Sequence, residues 1–187
     1  MFGTLYKIVL KLTGVKYGKQ LKLKGIPVIF NKKGANITIG ENCLIKSSFL
    51  SNLVGLYSRT IIVTRVEGAS ISIGNHVGIS GATIYARKQI TIGDYTNIGG
   101  NTKILDNDFH PIDPQARIAD DKDKIGTVPV IIGENCFIGC NALILKGTEL
   151  GNNCVVGAGA VVSGKFEDNC VIAGNPARVI RKIEPER

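Results

Sequence analysis

Residues 130–164 read VIIGENCFIGCNALILKGTELGNNCVVGAGAVVSG, and their spacing decides the fold. Aliphatic side chains return every six positions, at Ile132, Ile138, Ile144, Leu150, Val156 and Val162. Gly follows at 133, 139, 151 and 157, and a small residue stands four places after the aliphatic at Cys136, Ala142, Thr148, Cys154 and Ala160. A period of six matches neither a helix nor an alternating strand. It matches a short strand followed by a bend, with the same inward aliphatic on every side. Three such sides close a triangular coil of about eighteen residues, and coils stack about 4.8 Å apart through backbone hydrogen bonds.

Working outward, Ile92, Ile98 and Ile104 keep the same register. An earlier, looser stretch offers Ile39, Ile45, then Ile73, Ile79 and Tyr85, with a one-residue slip before Ile92. Residues 46–70 are poorly registered and are expected to complete one more turn or two. The expectation is an all-β solenoid, a parallel β-helix over residues 36–173, interrupted by one excursion loop. Aromatics are only 6% of the chain and Trp is absent, so small branched side chains must fill the core. Cys43, Cys136 and Cys154 occupy the small-residue place and read as buried hydrophobes rather than disulfide partners or zinc ligands.

The flanks differ from the repeat. Residues 1–33 hold eight lysines and no acid, which leaves 15 basic against 15 acidic side chains elsewhere, so the net charge of +8 belongs to this segment. No aromatic-interleaved basic surface accompanies it, and nucleic-acid binding is not expected. Residues 1–35 are read as a basic N-terminal segment. Within it Leu5, Ile8, Val9 and Leu12 have helical spacing opposite Lys7 and Lys11. That predicts an amphipathic helix docked on its own protein, or else peripheral contact with an anionic membrane. There is no signal-peptide pattern and no apolar run of about 20 residues, so the expected location is cytoplasmic, at the inner membrane face if that contact forms. At the other end, residues 174–187 read as a C-terminal helix and tail, with Asn175-Pro176 as its start.

The period stops after Ile104 and resumes at Ile132. Residues 106–129 form a loop of a length that in compact domains is usually either functional or disordered. It opens Asp106-Asn107-Asp108-Phe109-His110-Pro111-Ile112-Asp113 and carries one of two histidines in the chain. An imidazole titrates near neutral pH and suits general-base chemistry. The other, His76, takes an outward repeat position and reads as structural.

The repeat, the DNDFHPID loop and the AGNPARVIRKI terminus together resemble hexapeptide-repeat acyltransferases, most of all bacterial sugar and polysaccharide O-acetyltransferases. The resemblance implies a left-handed coil, a homotrimer with active sites between subunits, acetyl-CoA as donor and a saccharide as acceptor. It implies His110 as the catalytic base, with Asp106, Asp108 and Asp113 to orient it or bind sugar, and Ser80 near the acceptor. Gly139 and Cys140 would supply an oxyanion N–H, and Gly157, Ala158 and Ala160 would let a pantetheine arm approach the backbone. Lys165, Arg178 and Arg181 would meet the coenzyme A phosphates. The chain departs from many relatives in having Phe137 for Trp and Gly164 for Lys.

Four rivals follow from the same residues. A metal-dependent hydratase on this coil needs three histidines and finds two; no metal site is expected. A cysteine-nucleophile mechanism would have to use a thiol the core does not claim. N-acetylation of an amino sugar uses the same fold. A non-catalytic solenoid binding module would leave the loop dispensable.

Overall fold

The computed structural model describes residues 2–184, with side chains from residue 6 onward. Three parallel sheets of seven, eight and six strands form the faces of a triangular prism, here called sides A, B and C. The chain visits them in turn. Stacked inward side chains run in register along each. Side A carries Tyr17, Ile39, Ile73, Ile92, Ile132, Leu150 and Phe166. Side B carries Leu23, Ile45, Ile79, Ile98, Ile138, Val156 and Ile172. Side C carries Ile29, Ile62, Ile84, Ile104, Ile144 and Val162. The result is six full coils and a partial seventh, each burying its aliphatics against its neighbours.

Several expectations need correction. The solenoid begins at Lys16, not at residue 36, because Lys16–Tyr17, Lys22–Lys24 and Val28–Asn31 already form coil 1. Tyr17, Leu23 and Ile29 keep the period of six, but outward lysines between them disguise it. The inward residue of coil 3 is Ile84, fully buried, while Tyr85 is only half-buried. Residues 46–70 add no turn of their own. They make an excursion over residues 47–60 and then Ile61–Thr64 closes coil 2.

The C-terminal helix is absent among the described residues. Gly174 turns the chain at φ 101°, and Ala177–Lys182 returns antiparallel to Cys170–Gly174. Consecutive Val179 and Ile180 favour extended backbone, and the hairpin covers the last open edge of side B. At the other end Phe2–Leu12 is a helix, α1, as expected. Its Leu10 is buried in the same cluster as Val15 and Leu21, and Tyr6 packs beside it.

The corner between sides A and B places Gln20, Asn42, His76, Tyr95, Asn135, Asn153 and Asn169 at φ between 53° and 59°. Asn tolerates that conformation better than other chiral residues, and Asn135 donates to Asn153, and Asn153 to Asn169, at 2.9 Å. His76 and Tyr95 replace the amide ladder with rings stacked at 4.7 Å. His76 is therefore part of the corner.

Candidate active site

The loop of residues 106–129 leaves at the corner between sides C and A, and carboxylates hold it there. Asp106 is fully buried and accepts from the backbone N–H of Arg87 (2.8 Å), Lys88 (2.6 Å) and Gln89 (2.9 Å) and from Asn107 Nδ2 (3.0 Å). One side chain thus ties the loop's root to the bend after coil 3. Asp108 pairs with Lys146 Nζ, and its backbone N–H donates to Gly126 O at 3.0 Å. Asp113 caps the short helix α2, Pro114–Ile118, by accepting from Ala116 N at 2.8 Å. Phe109 stands at φ 63° with its ring 4.9 Å from that of Tyr85.

His110 follows, its backbone N–H donating to Asp108 O at 2.7 Å and its ring exposed. Among the described residues no side chain bonds that ring. Asp106 spends both oxygens on the bend of residues 87–89 and on Asn107, while Asp108 and Asp113 each use one oxygen to hold the loop, through Lys146 and Ala116 N.

Side B presents a different surface. A cavity of about 400 Å³ is lined by Lys46, Asn52, Ser80, Asn97, Gly99 and Phe137, among others. Ser80 is 8% exposed, and its Oγ accepts from Asn52 Nδ2 at 3.2 Å. Beyond the cavity the outward residues Asn97, Phe137, Val155 and Val171 stack in register up to Arg181. Phe137 is 53% exposed, which makes this a half-apolar strip along the prism. A bulge at Ile180 matters at its end. Arg178 pairs with Ala173 and Arg181 with Val171, two residues apart, so both arginines share the outer face despite being three apart in sequence.

The glycine-rich corner beside this strip sorts into two kinds of residue. Gly139 is buried, its N–H donates to Val156 O at 2.7 Å, and a Cβ there would fall 2.5 Å from Ala158 N. Gly157 N–H donates to Ile172 O at 2.8 Å, and Ala160 lies in the core. These three shape the corner and do not present donors. Cys140 and Ala158, one coil apart, keep backbone N–H groups with no acceptor among the described residues. Lys165 is farther off on side A, paired with Glu149 at 2.9 Å. Sequence reasoning missed Asn52, Asn97 and Lys146, because only the fold brings them to the loop or the cavity.

His110 and the side-B surface do not meet within one chain. The corner between sides C and A stands opposite side B across the prism, and Asp106, Asp108 and Phe109 keep the loop at that corner. Burial pushes the Cys136 thiol up to about 11 and raises Cys43 and Cys154 as well, which makes these three poor nucleophiles. Among the described residues no group of three metal-ligating side chains occurs.

Residues 129–163 match the family model described as the hexapeptide repeat of succinyl-transferase. A galactoside O-acetyltransferase of Lactococcus lactis is 31% identical over 156 residues, covering 78% of this chain and 62% of the relative. The lipopolysaccharide biosynthesis O-acetyl transferase WbbJ of Escherichia coli, itself described as putative, is 38% identical over 104 residues, covering 53% of each. The chain therefore spans between half and two thirds of these relatives. Among solved structures, the N-acyltransferase AntD of Bacillus cereus, in complex with dTDP and coenzyme A, superposes with a TM-score of 0.72 at 21% identity over 95% of this chain and 89% of that one. A galactoside acetyltransferase in complex with coenzyme A gives 0.57 at 22%, over 96% and 70%.

Proposed function

We propose that this chain, which belongs to the hexapeptide-repeat acyltransferases, moves an acetyl group from acetyl-CoA to a saccharide hydroxyl in a left-handed, trimeric assembly. The observation that carries this reading is the side-B strip. It offers apolar surface for a pantetheine arm, free N–H groups at Cys140 and Ala158, and two arginines on one face for phosphates. His110 supplies the base. A sugar hydroxyl is a poor nucleophile until its proton is taken; its oxygen then attacks the thioester carbonyl and the coenzyme A thiolate leaves. The Cys140 N–H would hold the oxyanion. Because His110 stands opposite side B in its own chain, the base facing the strip comes from the neighbouring subunit.

His110→Ala should lower the rate of thiol release with a competent acceptor by about 10²–10⁴-fold without changing acetyl-CoA affinity. Near-normal turnover would sink the assignment. The likeness to an N-acyltransferase supports a second reading, acetyl transfer to an amino sugar. Matched acceptors that differ only in hydroxyl or amine decide between them.

Helix α1 supports a peripheral membrane contact. It docks through Tyr6 and Leu10, while Ile8, Val9 and Leu12 face outward beside exposed Lys11. An amphipathic helix whose apolar face is not covered by its own protein, in a lysine-rich segment, fits an anionic bilayer. Val9→Asp with Leu12→Asp should abolish co-sedimentation with phosphatidylglycerol vesicles. Equal sedimentation of both proteins would remove the contact.

A further inference from the structure

The corner between sides C and A carries a second feature that the acetyl-transfer chemistry does not use. Lys32, Arg65 and Arg87 each follow the last residue of a side-C strand, in coils 1, 2 and 3. Their predecessors Asn31, Thr64 and Ala86 are in register, so the three cations form a ladder one coil apart. Lys122, from the far half of the His110 loop, completes a cavity of about 410 Å³ with them. Arg87 Nη2 donates to Lys122 O at 3.2 Å, which ties the ladder to that loop.

Two carboxylates, Glu67 and Asp123, also line the cavity. Neither makes an ion pair with a cation of the ladder among the described residues, and Lys122 pairs with Asp120 at 3.3 Å instead. Lys32, Arg65 and Arg87 thus stand side by side with no carboxylate within ion-pair distance. Like charges in register repel, and a compact anion bridging them removes that repulsion. Guanidinium groups further favour phosphate, whose oxygens match their paired N–H donors. The cavity also lies at the opposite end of the prism from Arg178 and Arg181, so one coenzyme A molecule does not explain both.

We infer that this cavity binds a diphosphate, the group that joins a sugar either to a nucleoside or to an isoprenoid lipid. The inference deepens the proposed function by assigning the acceptor a diphosphate handle, beside the same loop that carries His110. It also explains why Asp106 fastens the bend of Arg87 to the loop's root: one carboxylate sets both the ladder's last rung and the loop.

Binding is read by calorimetry without any catalytic step, so a failure of acetyl transfer and a failure of this site are distinguishable. The full chain should bind inorganic pyrophosphate saturably. The double variant Lys32→Ala/Arg65→Ala, both exposed positions, should weaken it about tenfold or more. Lys19→Ala, on a distant corner, should not. Uridine diphosphate and phosphatidylcholine vesicles carrying farnesyl diphosphate separate the two sources, the tighter of the two naming the acceptor's carrier. The inference is overturned if pyrophosphate does not bind, or if the folded double variant binds it equally.

Discussion

Two loops leave this prism, and they are held by different chemistry. Residues 47–60 leave side B of coil 2 and lie over the next corner. Their anchors are neutral: Asn101 Nδ2 donates to Gly55 O at 2.9 Å, its Oδ1 accepts from Tyr57 N at 3.1 Å, and Leu56 is buried beneath. Residues 106–129 are held by ionised groups, Asp106 on three backbone N–H groups and Asp108 on Lys146. The first loop walls a cavity and leaves Leu53 88% exposed, with Phe49 and Leu50 beside it. The second carries His110 with its ring exposed. Charge-assisted hydrogen bonds are about twice as strong as neutral ones, so the loop with His110 has the stiffer root.

The largest expected effect tests that root. Asp106→Ala leaves three N–H groups of the Arg87–Gln89 bend without their acceptor. The loss should be about 3 kcal/mol or more in denaturant unfolding, with acetyl transfer lost alongside. A loss under about 1 kcal/mol would mean water replaces the carboxylate, and the two roots would then be equivalent. Asn101→Ala is expected to be milder, about 1–2 kcal/mol, because the bonds it removes are neutral. It should loosen residues 47–60 and weaken acceptor binding near Ser80, with acetyl-CoA affinity preserved. A loss as large as that of Asp106→Ala would break the contrast.

The same contrast explains what was legible in the sequence. The coils were, because each inward aliphatic meets an equivalent one above and below, and a period is a local property. Coil 1 was masked by Lys16, Lys19, Lys22 and Lys24, whose charges suggested an appendage although Tyr17, Leu23 and Ile29 kept the spacing. The loop with His110 stood out because it breaks a strict register. The loop of residues 47–60 did not, since the register around it is already loose. The terminal helix failed for a tertiary reason: the open edge of side B takes Ala177–Lys182 as a strand. The roles of Asp106 and Asp108 were out of reach. A carboxylate bonding an N–H seventeen to nineteen residues back, or a lysine 38 residues on, leaves no trace in spacing.

The smallest effect on stability isolates positioning from folding. Asp108 and Lys146 are each about one quarter exposed, and such a pair contributes little to stability, about 1 kcal/mol or less. Lys146→Met keeps the aliphatic stem and removes only the charge, so unfolding should barely move. The loop, however, loses the tether nearest His110, two residues from Asp108. The expected outcome is a lower kcat with the KM for acetyl-CoA unchanged, because the side-B strip is untouched. Gly126→Ala is a second route to the same end: a Cβ there would sit 2.4 Å from Asp108 Oδ2 and 2.7 Å from Lys146 Nζ, forcing the pair apart while leaving both charges in the protein. If the two variants lower kcat together and spare KM, the ion pair acts by placing the loop. If Lys146→Met raises KM for acetyl-CoA instead, Lys146 belongs to the donor site, and the second loop is held by Asp106 alone.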